Sequence, residues 1–259
     1  MIEEAFIFYP EPDIVYTPSD RGMDYEDIYF RTSDGLKLHG WLVPGNKDVT
    51  LLWFHGNAGN ISHRVENLGL LQQSLNANIF LFDYRGYGRS QGKPSEKGTY
   101  LDGEAAFSYL VSRSDIERDK IVAFGRSLGA AVAVYLASKE RFWGVILESA
   151  FTSVKDMARK AFPLVPGFLI RTKYDSLSRI KSIEVPILFI HGDSDDVVPI
   201  ELGRRLCQEA NEPKKFYTIP GAGHNDTYCV GGEQYFKVFR DFIEEPSGPR
   251  QMARTGEKR

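Results

Sequence analysis

The chain has 259 residues, 42% hydrophobic and 26% charged, with a formal net charge of −3, enough for one large α/β domain or two small ones. So slight an acidity gives no reason to expect a nucleic acid or an anionic membrane as partner. No run approaches the roughly 18 apolar residues of an integral membrane segment, and Cys207 and Cys229 sit in neither a metal-ligand spacing nor a disulfide framework.

The first ten residues carry early acids and no basic stretch, so they do not read as a signal peptide, and a cytoplasmic compartment is expected. The sequons at Asn60 and Asn225 therefore carry little weight. Tyr25 to Thr32 and Lys37 to Val43 read as an antiparallel hairpin turning at Ser33-Asp34-Gly35. Apolar strand-like runs then alternate with helix-like stretches. The runs are Thr50 to Phe54, Asn78 to Phe82, Ile121 to Phe124, Gly144 to Leu147, Pro186 to Ile190 and Lys215 to Ile219. The helical stretches run from about Ile61 to Leu75, Glu96 to Ser112, Leu128 to Ser138, Ile200 to Ala210 and Glu233 to Ile243. Short, continuously apolar strands are what a sheet covered on both faces requires. The expectation is one α/β domain over residues 1–245, with a mostly parallel central sheet, helices on both faces and the hairpin at its N-terminal edge. Residues 151–184 exceed a simple crossover and read as a small helical cap insertion. The Pro-, Gly- and charge-rich stretch 246–259 reads as a disordered tail.

Gly125-Arg126-Ser127-Leu128-Gly129 lies between a strand and a helix, the pattern of a nucleophile elbow. A serine hydroxyl needs a histidine base, and the imidazole needs an acid to hold its tautomer. Both are available in later post-strand loops. His191-Gly192-Asp193-Ser194-Asp195-Asp196 offers acids, and Gly221-Ala222-Gly223-His224 offers the base. Catalytic groups of open α/β sheets gather beyond the carboxyl ends of the strands, so these loops should share a rim. A tetrahedral intermediate also needs two backbone N–H donors. Leu128, after the nucleophile, supplies one; Asn57 in the loop after Thr50 to Phe54 supplies the other, with Ala58 as fallback. His55 is read as a brace for that loop, and Arg85 as tied into local hydrogen bonds. The glycines of Gly86-Tyr87-Gly88-Arg89-Ser90-Gln91-Gly92 do not match a dinucleotide-binding loop. The five histidines make no zinc spacing, so neither metal nor cofactor is expected.

With these blocks in hand, the chain resembles the α/β-hydrolase superfamily from about Ile28 to Phe242. More narrowly it is similar to the α/β-hydrolase-domain serine hydrolases whose relatives include protein depalmitoylases and lysophospholipid lipases. The blocks that carry the resemblance are His55-Gly56-Asn57-Ala58-Gly59, Asp83 to Ser90, Gly125 to Gly129, His191 to Asp195 and Gly223 to Asp226. The resemblance implies an α/β-hydrolase fold and cleavage of carboxylic esters or thioesters through an acyl-enzyme on Ser127. It places the acid on Asp195, ahead of Asp193, Asp196 and the more distant Glu148. Phe162 and Phe168 in the insertion become candidates for an acyl pocket. An aminopeptidase, a C–C bond hydrolase and a non-catalytic binding protein on the same fold stand as alternatives. The expected partner is a small-molecule or acyl substrate; oligomeric state is left open.

Overall fold

The computed structural model describes residues 7–161 and 171–244. Stretch 246–259, read above as a disordered tail, lies outside the described residues. A short strand β1 (Tyr9–Pro10) precedes the hairpin β2 (Glu26–Arg31) and β3 (Lys37–Val43). Next come β4 (Lys47–Phe54), β5 (Ala58–Gly59), helix α1 (Val65–Leu75), β6 (Ala77–Asp83) and α2 (Glu96–Ser112). The second half runs β7 (Ile121–Arg126), α3 (Leu128–Ala137), β8 (Gly144–Glu148), α4 (Val154–Ala161) and α5 (Ser176–Arg179). It ends β9 (Ile187–Gly192), α6 (Ile200–Glu209), β10 (Lys214–Ile219) and α7 (Thr227–Glu244).

Eight strands form one sheet in the order β10-β9-β8-β7-β4-β6-β3-β2. β2 and β3 pair antiparallel, and β3 meets β6 antiparallel; the other pairs are parallel. This is the α/β-hydrolase architecture expected from the sequence. The central strands are largely apolar because alternate side chains enter different cores, whereas the edge strands β2 and β10 expose several residues. Leu52 and Phe54 of β4 join Phe80, Phe82, Phe107 and Val132 on one face. Leu51 and Trp53 join Leu71, Phe124, Tyr235 and Phe239 on the other. Aromatics so buried are worth about 3–5 kcal/mol each against truncation to alanine. From β4 the chain passes to β6 on one side and then to β7 on the other, so order reverses at the β4–β7 junction. A crevice opens outside the carboxyl ends at such a point.

Two boundaries differ from the sequence reading. The stretch from Ile61 opens as a 3-10 turn, Ile61–Arg64, capped by the Asn60 side chain, before α1 proper begins. The helix read from Glu233 is preceded by a short helical stretch that opens at Thr227, and Gly232 separates the two with φ 50° and ψ −142°. Only a residue without Cβ adopts that backbone cheaply, so the amphipathic pattern becomes continuous only after it.

Candidate active site

The elbow follows from steric facts. A Cβ at Gly125 would fall 2.4 Å from the Gly129 carbonyl oxygen, and one at Gly129 would fall 2.0 Å from that of Phe54. Glycine is thus required at both places for α3 to leave β7 so sharply. Between them Ser127 is held at φ 54° and ψ −118°, a backbone that costs on the order of 1–3 kcal/mol in a residue with a side chain. The strain is sustained by hydrogen bonds on both sides: Ser127 N–H donates to Glu148 O at 2.9 Å, and Ala130 N–H donates to Ser127 O at 3.0 Å.

Ser127 Oγ lies 3.1 Å from His224 Nε2, and His224 Nδ1 lies 2.9 and 3.1 Å from the two Asp195 oxygens. A carboxylate only accepts, so Nδ1 carries the proton and Nε2 is left to accept from the serine hydroxyl. Asp195 also accepts from the Val197 and Val198 N–H groups, at 3.0 and 2.7 Å. Burial opposes its charge. The hydrogen bonds of His191 and His224, the charge of His224 and the Val198 N–H prevail, holding the carboxyl well below the usual carboxylate range. Asp193 instead accepts from Ser194 Oγ and the Gly221 N–H.

Beneath this row lies a network that sequence reasoning missed. Arg126, between the elbow glycine and the serine, sets its Nε 3.1 Å from Glu148 Oε1 and donates through Nη2 to the His224 carbonyl and to Asn225 Oδ1. Glu148 accepts further from Thr227 Oγ1 at 2.5 Å and Tyr235 Oη at 2.8 Å. Burial, and then the Glu148 charge, push the Tyr235 phenol well above its usual value, so it remains a donor. Glu148, weighed above as a distant fourth acid, is fully engaged here. The available signals were an arginine and a glutamate at the ends of otherwise apolar strands.

Across the crevice, the loop after β4 faces Ser127. An ideal Cβ on Gly56 would lie 3.6 Å from Ser127 Cβ. Asn57 N–H has no hydrogen-bond partner among the described residues, and its side chain is steadied by Tyr87 Oη at 3.1 Å. Leu128 is the first residue of α3, where an N–H has no acceptor within the helix. His55 is buried and braces the loop, its Nδ1 donating to Gly56 O at 2.7 Å. The loop is held from outside as well. β1 pairs with β5, and the buried Asn60 side chain donates to Glu11 O and Asp13 O at 2.9 and 2.7 Å. Arg85 binds Asp102 and Asp34 through its guanidinium, as its reading as a structural residue anticipated. Phe162 and Phe168 lie outside the described residues. A recess of about 620 Å³ near Val43, Glu66 and Asn76 lies at the opposite strand ends and brings no nucleophile and base together. Among the described residues no group of histidine, cysteine and carboxylate side chains is arranged to hold a metal, and no helix is long and apolar enough to cross a membrane.

Residues 49–178 match the family model described as alpha/beta hydrolase fold. The chain is 36% identical over 262 residues to "Alpha/beta hydrolase domain-containing protein WAV2" of Arabidopsis thaliana, covering 93% of this chain and 85% of that one. To "Protein bem46" of Schizosaccharomyces pombe it is 39% identical, covering 89% and 80%. Among solved structures, an esterase of Pyrococcus furiosus superposes with a TM-score of 0.77 at 22% identity, covering 93% of this chain and 97% of that one.

Proposed function

The chain belongs to the α/β-hydrolase fold family, and we propose that within it the protein is a serine hydrolase of carboxylic esters or thioesters. The observation that carries the reading is the unbroken relay from Ser127 Oγ through His224 to Asp195, at 3.1 and 2.9 Å. In this mechanism Ser127 Oγ attacks the carbonyl carbon while His224 Nε2 takes its proton. Asp195 keeps the ring oriented and offsets its positive charge. The oxyanion forms beside the Asn57 and Leu128 N–H groups, each such donor being worth about 3 kcal/mol in the transition state. The amino end of α3 adds favourable potential. His224 then returns the proton to the leaving group, and water, activated by the same ring, releases the acid and restores Ser127.

The test is a fluorophosphonate probe together with p-nitrophenyl acetate and butyrate. The wild-type protein should label and turn over. Ser127→Ala should do neither, with circular dichroism unchanged and a loss on the order of 10⁶ in kcat. Labelling that survives in Ser127→Ala would point to another nucleophile.

A further inference from the structure

Arg64 stands one turn after the loop that carries Asn57, and its environment is unlike that of the paired arginines around it. Arg85 meets two aspartates and Arg126 meets Glu148. The Arg64 guanidinium has no ion-pair partner among the described residues. Its Nη2 donates to the Ala58 carbonyl, and its Nε is buried without an acceptor. Burial, and then the neighbouring charge of Arg126, push the group down to about 10; Asp83, itself facing His55, only partly offsets them. The residue as a whole is half-buried, and with Asp83 offsetting the shift only in part, a facing anion would stabilise the guanidinium further.

The position is informative. Arg64 touches Ala58 and feels Tyr87, Arg126 and Tyr228. Ala58 adjoins Asn57; Tyr87 bonds the Asn57 side chain; Arg126 adjoins Ser127; Tyr228 follows His224 by four residues. Arg64 therefore lies near segments that adjoin Asn57, Ser127 and His224 in the chain. A guanidinium presents a fork of N–H donors matched to two oxygens of one anionic group.

We propose that Arg64 is the anion-recognising element of the substrate site, and that the natural substrate is an ester or thioester bearing an oxyanion, carboxylate or phosphate, close to the scissile carbonyl. The inference rests on the serine-hydrolase reading and narrows its substrate class. The substrate anion supplies the counter-charge that the fold withholds, so Arg64 is a specificity-determining residue, distinct from the groups that handle the proton.

The experiment uses matched ester pairs. p-Nitrophenyl butyrate is compared with mono-p-nitrophenyl glutarate, which adds a carboxylate to the acyl side. Butyrylglycerol is compared with butyrylglycerol 3-phosphate, which adds a phosphate to the leaving side. The wild-type protein should favour the charged member of at least one pair, and which pair it is identifies the anion. Arg64→Gln should lose about 10- to 100-fold in kcat/KM on that member, the worth of a charge-assisted hydrogen bond, with less than threefold change on its neutral partner. Arg64→Lys should recover part of the preference. Added salt should erode the preference in the wild type and leave the neutral ester untouched. Equal losses on both members would overturn the proposal, making Arg64 only a brace for the Ala58 carbonyl. So would a wild-type protein indifferent to charge. The fluorophosphonate label separates the two levels. A labelled wild type with either result sinks the Arg64 assignment alone, whereas an unlabelled, inactive wild type sinks the hydrolase reading and this inference with it.

Discussion

The two sides of the crevice treat their polar groups in opposite ways. On the side built from β7, β8, β9 and β10, the key acceptors are filled. Asp195 takes hydrogen bonds from His224, Val197 and Val198, and Glu148 faces Arg126, Thr227 and Tyr235. On the side built from β4 and β6, groups are left open. Asn57 N–H has no hydrogen-bond partner among the described residues, and Arg64 Nε is buried without one. Such networks hold a geometry fixed before substrate arrives, because most of the groups that could swing are already bonded, although Arg126 Nε and Ser149 Oγ make no hydrogen bond. Open groups gain only when something else supplies the acceptor. On the proposed function, the difference would separate the residues that set the reaction from those that receive the reactant.

Three substitutions test that contrast. The largest effect is expected from Asp195→Asn, which keeps the shape but permits the wrong histidine tautomer; kcat should fall by roughly 10³–10⁴. Its stability profile should change as well. A carboxyl held below its ordinary value contributes stability above pH about 4 and loses it as pH falls further, because the unfolded chain binds the proton first. Urea midpoints should therefore drop on acidification in the wild type and drop less in Asp195→Asn. An unchanged acid slope would mean that the Asp195 charge is not held by its neighbours.

Next is Glu148→Gln, which leaves Arg126 buried without its counter-charge. Breaking one partner of a buried pair costs about 3–5 kcal/mol, visible as a lower urea midpoint, and turnover should slow as Arg126 loses its hold beside the His224 carbonyl. Stability within 1 kcal/mol of wild type would show that the closed side is less interdependent than its bonds imply. The smallest effect should come from Tyr87→Phe, which frees the Asn57 side chain at a cost near 1 kcal/mol. A fall of about fivefold in kcat with little change in KM is expected. A change confined to KM would assign Asn57 to ground-state binding instead of the oxyanion.

The contrast also explains what could be read from the chain alone. Ser127, Asp195 and His224 were legible because each follows an apolar strand in a short polar or glycine-rich loop, and a parallel sheet delivers such loops to one rim. Arg126, Glu148, Thr227 and Tyr235 were not assembled in advance because their contacts join positions 22 to 99 residues apart, and no local periodicity encodes a side-chain meeting over that range. Nothing in the sequence sets Arg64 apart, since its lack of an ion-pair partner among the described residues is a property of the folded surroundings. Gly232 interrupts α7 within an otherwise helical pattern, and Gly231-Gly232 beside apolar residues does not announce which glycine turns. The pairing of Tyr9–Pro10 with Ala58–Gly59 is two residues long, too short for any strand signal.

That small ladder has a mechanical consequence. Glu11 N–H reaches Gly59 O, Gly88 N–H reaches Glu11 O, and Asn60 grips two carbonyls of the same arm. A pull or a crowding load applied to the leading end of the chain is thus delivered first to the loop carrying Asn57, before it reaches the sheet. Because the arm is tied to the loop carrying Asn57, the proposed oxyanion donor, turnover should respond to tension there sooner than global unfolding does.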